Sequence, residues 1–399
     1  MKKRILFYYT HQESLGHTTR LLSIIQTLKK RYPTQTEIAV FQGGKTQDYL
    51  EIPKEVKWLN LPYPFYNRLD FKKRCNPNLL KMKARSNYMI SKIKEFKPHI
   101  FITEFFPFGR RECYWELLPT LEYLKRRKIK IYGSIGYPCV TKSNIKMLLA
   151  TLNFYDRILI HVVLNTEFNY FNKNTDAPIL YPNFFKKFEN RINYTGYILP
   201  FNMRKINHKR FIKRQFGSQD KIFVLVTRGA GAYYPKIITH SILAKNYLNS
   251  KYFFMIIPGP TSSEKEMSLF RRCLDKVKDK NIYMVKYLPN LPDLLGNSAI
   301  TVSTAGYNTS LQLFYFRKKS IVIPFKGYPP RYGYIEQLSR AQMLKDYLGT
   351  SILDYDELSP QLLAKEIEKK YQDREPKSTG IDKNWFKGGE ITSDLIMNS

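Results

Sequence analysis

The stretch Ser298–Ala341 restricts what this chain can fold into more than any other. A run of buried-type residues, Ile300–Ser303, passes into a turn of small residues at Thr304, Ala305 and Gly306. The spacing then predicts a helix with Asn308, Thr309 and Ser310 near its first turn. A second apolar run, Ser320–Ile323, stops at Pro324, and Glu336, Gln337, Arg340 and Ala341 follow on a further predicted helix. Strand, tight turn, helix and strand in that order make a βα unit, and such units build parallel sheets. The helix start has chemistry of its own. Its first backbone N–H groups have no partner inside the helix, and the dipole adds attraction for an anion.

The same rhythm runs along most of the chain. Upstream, short apolar runs at Arg4–Tyr9, Glu37–Phe41, Val56–Leu61, His99–Glu104, Lys130–Ile135, Arg157–His161 and Arg191–Thr195 read as strands. Leu21–Arg31, Asn78–Phe96 and Glu112–Lys128 have helical spacing, and Pro119 is expected to kink or break the last of these. Tyr197–Arg214 reads as a connector, after which strands at Lys221–Val226, Tyr252–Ile257, Ile282–Val285 and Ala299–Ser303 alternate with helices again. A chain of 399 residues exceeds one ordinary core. The expected fold class is α/β, with two Rossmann-like, doubly wound domains facing each other across a cleft. Residues 1–200 form the first domain, 201–375 the second, and 376–399 a tail with a short packing helix at Glu390–Asn398.

Ligands of open α/β sheets bind beyond the carboxyl ends of the strands, so loops that follow strands carry the candidate chemistry. The first strand leads into Gly16, His17 and Arg20 at a helix start. There the dipole disfavours an imidazolium, leaving His17 neutral and able to accept a proton or simply to position the loop. His11 is the weaker competitor. Strand His99–Glu104 ends in a carboxylate, with Arg110 and Arg111 six and seven residues on. Glu104 is either a second base or the group that orients His17, and the arginines either grip an anionic acceptor or order the loop by pairing with Glu104. Thr227–Ala232 follows the first strand of the second half. Its Gly229 and Gly231 allow close approach of backbone to a diphosphate, and Arg228 supplies charge. Tyr287, in the loop after Ile282–Val285, can stack on a base or merely pack.

The 298–341 layout resembles the donor-binding half of GT-B glycosyltransferases, at Ser303, Gly306, Asn308, Thr309, Pro324, Glu336, Gln337, Arg340 and Ala341. The Gly16-His17 loop resembles that of the lipid-linked N-acetylglucosaminyltransferases of peptidoglycan synthesis. The string Glu104–Arg111, followed by Glu116–Pro119, resembles a bacterial predicted-glycosyltransferase group related to them. The resemblance implies a nucleotide-diphosphate sugar held by Arg228, Gly229, Gly231, Tyr287, Ser303, Gly306, Asn308, Thr309, Gln312, Glu336 and Gln337. It implies an acceptor met by Gly16, Arg20, Arg110 and Arg111, and inverting transfer with His17 or Glu104 as base. Gln312 stands where such sites usually carry a ribose-binding glutamate, so this contact lacks charge assistance. A sugar-nucleotide epimerase of the same fold is the alternative, although Glu104 and Glu13 are the only carboxylates well placed for its acid–base work.

No cofactor or metal is expected. The one DxD string, Asp354-Tyr355-Asp356, lies away from these motifs and reads as a solvated turn, leaving dipoles and arginines to stabilise the leaving diphosphate. The four cysteines are scattered, which argues against a disulfide framework or structural zinc and for a reduced, cytoplasmic setting. The apolar run Ile5–Tyr9 is too short for a signal peptide, and no stretch approaches a membrane span. With 66 Lys and Arg against 33 Asp and Glu, the formal charge is +33. That excess favours an anionic partner: the inner face of a membrane with a lipid-linked acceptor, a nucleic acid as acceptor, or a phosphorylated small molecule. Basic, aromatic-rich Leu61–Arg74 suits the interface reading. Oligomeric state, base and sugar are not encoded in any motif found.

Overall fold

The computed structural model describes residues 2–10, 15–44, 52–63, 79–110, 113–136, 145–163, 166, 170, 186–200, 221–229, 234–289, 291–324, 332–376 and 380–399. Two all-parallel sheets organise them. The first has seven strands: β1 (Lys3–Thr10), β2 (Thr36–Gly43), β3 (Lys57–Asn60), β4 (Ile100–Glu104), β5 (Lys130–Ile135), β6 (Arg157–Ile160) and β7 (Ile192–Tyr194), in the order β3-β2-β1-β4-β5-β6-β7. The second has six: β8 (Ile222–Thr227), β9 (Tyr252–Ile257), β10 (Ile282–Met284), β11 (Ile300–Ser303), β12 (Ser320–Val322) and β13 (Ser351–Ile352), in the order β10-β9-β8-β11-β12-β13. Each order reverses once, between β1 and β4 and between β8 and β11. Those reversals are where such sheets open a crevice for ligands.

Burial on both faces accounts for the near-continuous apolar strands, such as YFFMII in β9, every residue of which is buried. One face of the first sheet packs on helix α1 (Leu15–Arg31) through Leu21, Ile24, Ile25 and Leu28. Its other face packs on α2 (Leu79–Phe96) and α3 (Tyr114–Arg126). Pro119 does not end α3, which runs through it. A short helix, α4 (Ile145–Leu152), precedes β6. In the second half, α5 (Pro235–Ala244), α6 (Glu264–Val277), α7 (Leu291–Asn297), α8 (Tyr307–Phe316), α9 (Tyr332–Leu348) and α10 (Pro360–Gln372) surround the sheet. Helix α6 opens with a capping box, Ser263 and Glu266 each bonding the other's backbone N–H.

The tail helix, α11 (Gly388–Met397), returns to the first sheet's side and lies on α1. Leu395, Ile396 and Met397 join the apolar cluster there, Arg31 grips Asp394 from two nitrogens, and Tyr32 donates to the same carboxylate. Where the chain passes back, Tyr197 N–H donates to the Trp385 carbonyl (2.6 Å) and Gly388 N–H donates to that of Tyr197 (3.1 Å). Gly196 stands with φ +79° against the Trp385 carbonyl, a position where a side chain would collide.

Candidate functional site

Register brings the first group of residues together. Glu104, the last residue of β4, pairs with Ser134 of β5, so the two side chains leave the same face of the sheet. Ser134 Oγ–H donates to Glu104 Oε2 (2.8 Å). From α1, whose first turn follows the end of β1, Arg20 forms a close ion pair with Glu104 Oε1, and His17 Nδ1 stands 3.0 Å from the same oxygen. A carboxylate only accepts, so Nδ1 carries the proton and Nε2 holds the ring's lone pair. His161, immediately after β6, continues the chain. Its Nε2 lies 3.0 Å from Ser134 Oγ, and its Nδ1 lies 2.8 Å from Thr195 Oγ1.

Electrostatics separates the roles. Burial disfavours the charged form of His17, and Arg110 and Arg20 repel it, which outweighs the bond to Glu104 and brings the ring down to about 4. Burial would raise Glu104, but the Arg20 charge and the His17 bond hold it at about 2. Burial and the Arg20 charge also push His161 down, to about 3. At neutral pH the site therefore contains a neutral histidine, 18% exposed in its side chain, fixed by an ionised carboxylate only 2% exposed. Glu104, saturated by Arg20, His17 and Ser134, has the geometry of an orienting group. The Phe105 ring flanks His17, with centroids 4.7 Å apart.

The second group lies at the other reversal. Thr227 of β8 and Ser303 of β11 are register partners, so the Gly-rich loop and the start of α8 emerge side by side. Gly306 is the N-cap of α8 and gives no side-chain cap, leaving the first-turn N–H groups to an outside acceptor. Ser303 Oγ, Ser310 Oγ and Gln312 Oε1 are buried here without a hydrogen-bond partner among the described residues. Thr309 is buried, and Asn308 and Gln337 are half-buried. Gly229 has φ +70° and open space around it. Tyr287 is half-buried in its loop after β10. Gly16, in the first turn of α1, is likewise unobstructed.

Three expected ligands are committed elsewhere. Arg228 is buried, with Nε on the Pro258 carbonyl (2.8 Å), one terminal nitrogen on Glu266 (2.7 Å) and the other on Ser262 (2.8 Å). Glu266 neutralises the charge this loop would offer a diphosphate. Arg20, expected at the acceptor, is buried against Glu104. Glu336 is paired in the helix with Arg340, which also donates to the Ala305 carbonyl (3.2 Å). Arg110 takes a left-handed conformation, φ +57°, within reach of His17's field. His11, Glu13, Arg111, Gly231, most of Leu61–Arg74 and most of the connector lie outside the described residues. In the DxD string, Asp354 Oδ1 accepts from the Asp356 N–H, an Asx turn.

The two groups touch across the cleft. Tyr307, the first residue of α8, donates its hydroxyl to the His161 carbonyl (2.7 Å). Arg20 lies 5.2 Å from its ring centroid and Arg340 5.5 Å. Ser134, His161, Thr195 and Tyr307 were not anticipated from the sequence. For the first three the one signal is a lone polar residue at or just past the end of a strand, as in KIYGSI and RILIH; Tyr307 has none.

The C-terminal domain of glycosyltransferase family 28 matches residues 222–390. No curated protein matches by sequence. Among solved structures, MurG of Acinetobacter baumannii is similar over 100% of both chains, at 11% identity and a TM-score of 0.56. CalG4, the calicheamicin glycosyltransferase, is similar over 100% of this chain and 96% of its own, at 11% identity and 0.59. The UDP-GlcNAc 2-epimerase of Neisseria meningitidis, bound to UDP-GlcNAc, matches 99% of this chain and 100% of its own, at 11% identity and 0.59. At such identities the likeness is one of fold, and the fold is GT-B.

Proposed function

We propose that this chain, which has the GT-B fold and carries a family 28 C-terminal domain, transfers a sugar from a nucleotide-diphosphate donor to an acceptor hydroxyl without a metal ion. The observation that carries the reading is the meeting of the two sheet reversals: Tyr307, at the start of α8, touches Arg20 and His161 of the group that holds the neutral, carboxylate-oriented His17. His17 Nε2 takes the proton of the acceptor hydroxyl as its oxygen attacks the anomeric carbon and the nucleoside diphosphate leaves. Glu104 fixes the histidine tautomer and stabilises the imidazolium as it forms. The backbone at the N-terminus of α8 and around Gly229 receives the charge that develops on the diphosphate. Gln312 and Ser303 offer the donor buried polar atoms that lack hydrogen-bond partners among the described residues. Arg228 holds the loop's geometry in place of a direct phosphate contact.

The acceptor we assign is lipid-linked and presented at an anionic membrane. Support comes from exposed apolar side chains at the cleft end of the first domain. Leu79 and Leu80 open α2, Trp115 lies in the first turn of α3, and Tyr63 sits beneath Lys81. Among the described residues no helix is long and apolar enough to cross a membrane. The contact we assign is peripheral and on the cytoplasmic face, where anionic lipid attracts basic surface.

A panel of nucleotide sugars and free nucleotides, read by thermal shift and mass spectrometry, tests the donor. A bound ligand stabilises the folded state by RT ln(1 + [L]/Kd) and so raises the melting temperature. Silence across the panel at millimolar concentration would refute the reading. The epimerase alternative follows from the structural likeness, and it predicts isomerisation of a UDP-sugar with no acceptor present. Saturation of Glu104 by three donors counts against it, since that carboxylate is not free for carbon acid chemistry.

A further inference from the structure

The transfer reading takes the Tyr307 contact only as the meeting point of the two groups and gives the residue itself no role. Tyr307 is the first residue after the Gly306 cap, so it moves with the helix start assigned to the diphosphate. Its ring and hydroxyl nevertheless engage the other domain. The ring meets Arg20, the residue whose guanidinium holds Glu104, and the hydroxyl meets the backbone of His161, whose side chain reaches Glu104 through Ser134. Both routes end on the carboxylate that orients His17. Arg20 depends on this arrangement. It is buried, its Nε has no partner, and a side chain at Gly136 would strike its guanidinium. Arg340, on the opposite domain, meets the same ring and anchors the Ala305 carbonyl just ahead of the cap.

We propose that Tyr307 is a positioning residue that registers the donor-binding helix against the His17–Glu104 pair, by clamping Arg20 in the place from which it holds Glu104. The inference rests on the transfer reading for its consequence, but the coupling itself is a property of the resting protein. A donor that seats the start of α8 also seats the tyrosine, and with it Arg20, so the base is aligned when there is a sugar to transfer. Displacing the ring lets water reach the guanidinium and the carboxylate. The groups that set the His17 charge are Glu104 from β4, Arg20 on its own helix and Arg110 from the loop after β4, with Phe105 packed on its face. Of these, the tyrosine contacts Arg20 directly.

The test is the titration of His17, followed by NMR of its ring carbons in the full-length protein and assigned with the His17→Gln spectrum. Tyr307→Leu should move the His17 midpoint up from about 4 towards the ordinary 6.5, because burial is the main force holding it down. Tyr307→Phe keeps the ring between the two arginines and should leave the midpoint in place. With a turned-over donor, Tyr307→Leu should lower kcat by about tenfold or more while the donor KM changes by less than about threefold. A folded Tyr307→Leu protein with wild-type titration overturns the proposal, as does a Phe variant that shifts as far as Leu. If Tyr307→Leu does not fold, Tyr307→Met is judged by the same criteria. A shifted titration in a protein that turns over no nucleotide sugar upholds the coupling and refutes the transfer reading. Transfer with an unmoved titration does the reverse.

Discussion

His17 is held neutral well below the ordinary histidine range, and this sets both an activity limit and a stability trend. A base already deprotonated above about 4 predicts a transfer rate flat on its acid side down to roughly pH 5, falling below that. A rate that halves near pH 6.5 would mean an unshifted histidine. The stability argument has the same direction. Between about 4 and 6.5 the unfolded chain binds protons at positions 17 and 161 that the folded chain excludes, so stability falls as pH drops through that window. Glu104 adds a second loss between 4.5 and about 2, where the unfolded carboxyl is already protonated. Urea midpoints at pH 7.5, 5.5 and 4.5 should decline in that order. His17→Ala is expected to cut transfer by roughly 10²–10⁴-fold with a native circular-dichroism spectrum. Glu104→Gln should also cut it, and should lower the melting temperature by leaving Arg20 buried without its charge partner. His17 and Glu104 were legible in the sequence because one opens the first helix after an early apolar strand and the other ends such a strand, the places where open α/β sheets present side chains to a ligand. Ser134, His161 and Thr195 were not, since their meeting depends on strand register between segments some thirty residues apart.

Elements were easier to read than contacts. Strand and helix positions follow from periodicity, which the burial of one helix face or both sheet faces imposes directly. Of the two outcomes expected at Pro119, a kink or a break, the break does not occur. α3 is pinned on both sides of the proline by buried Glu116, Leu117, Leu121 and Leu124, and such packing outweighs one lost backbone bond. The two-residue strand β13 and the short helix α4 carry too few residues for a periodic signal. Arg85 binds several elements at once. From α2 it pairs closely with Glu116 of α3, which also accepts from Tyr8 of β1, and it donates to the Pro62 and Tyr63 carbonyls after β3. Both charges are fully buried, so Arg85→Met should destabilise by ~3–5 kcal/mol in a denaturant titration. A loss under about 1 kcal/mol would mean that water reaches the pair.

At the scale of the whole molecule, the formal charge of +33 exceeds what any one site uses. Co-sedimentation with vesicles containing anionic lipid should be strong at low salt and should fall steeply as the Debye length contracts from about 10 Å at 0.1 M. Retention through 1 M salt would instead assign binding to the exposed Leu79, Leu80 and Trp115. Weak sedimentation together with a salt-sensitive DNA gel shift would redirect the search to a nucleic acid acceptor. Two doubly wound sheets were legible because the alternation of strand and helix restarts after the connector, whereas the clamp at Tyr307 joins residues far apart in the chain and has no local signature. The return of α11 onto α1 has a consequence for biosynthesis. A ribosome delivers the face of α1 early and its cover, residues 388–397, only after the second sheet has been made. The first domain must therefore wait, with Leu395, Ile396 and Met397 still missing from its apolar cluster, while the second domain is made. During that interval a nascent-chain chaperone has an open apolar seam to hold, and a stall anywhere between the first domain and residue 388 leaves it uncovered.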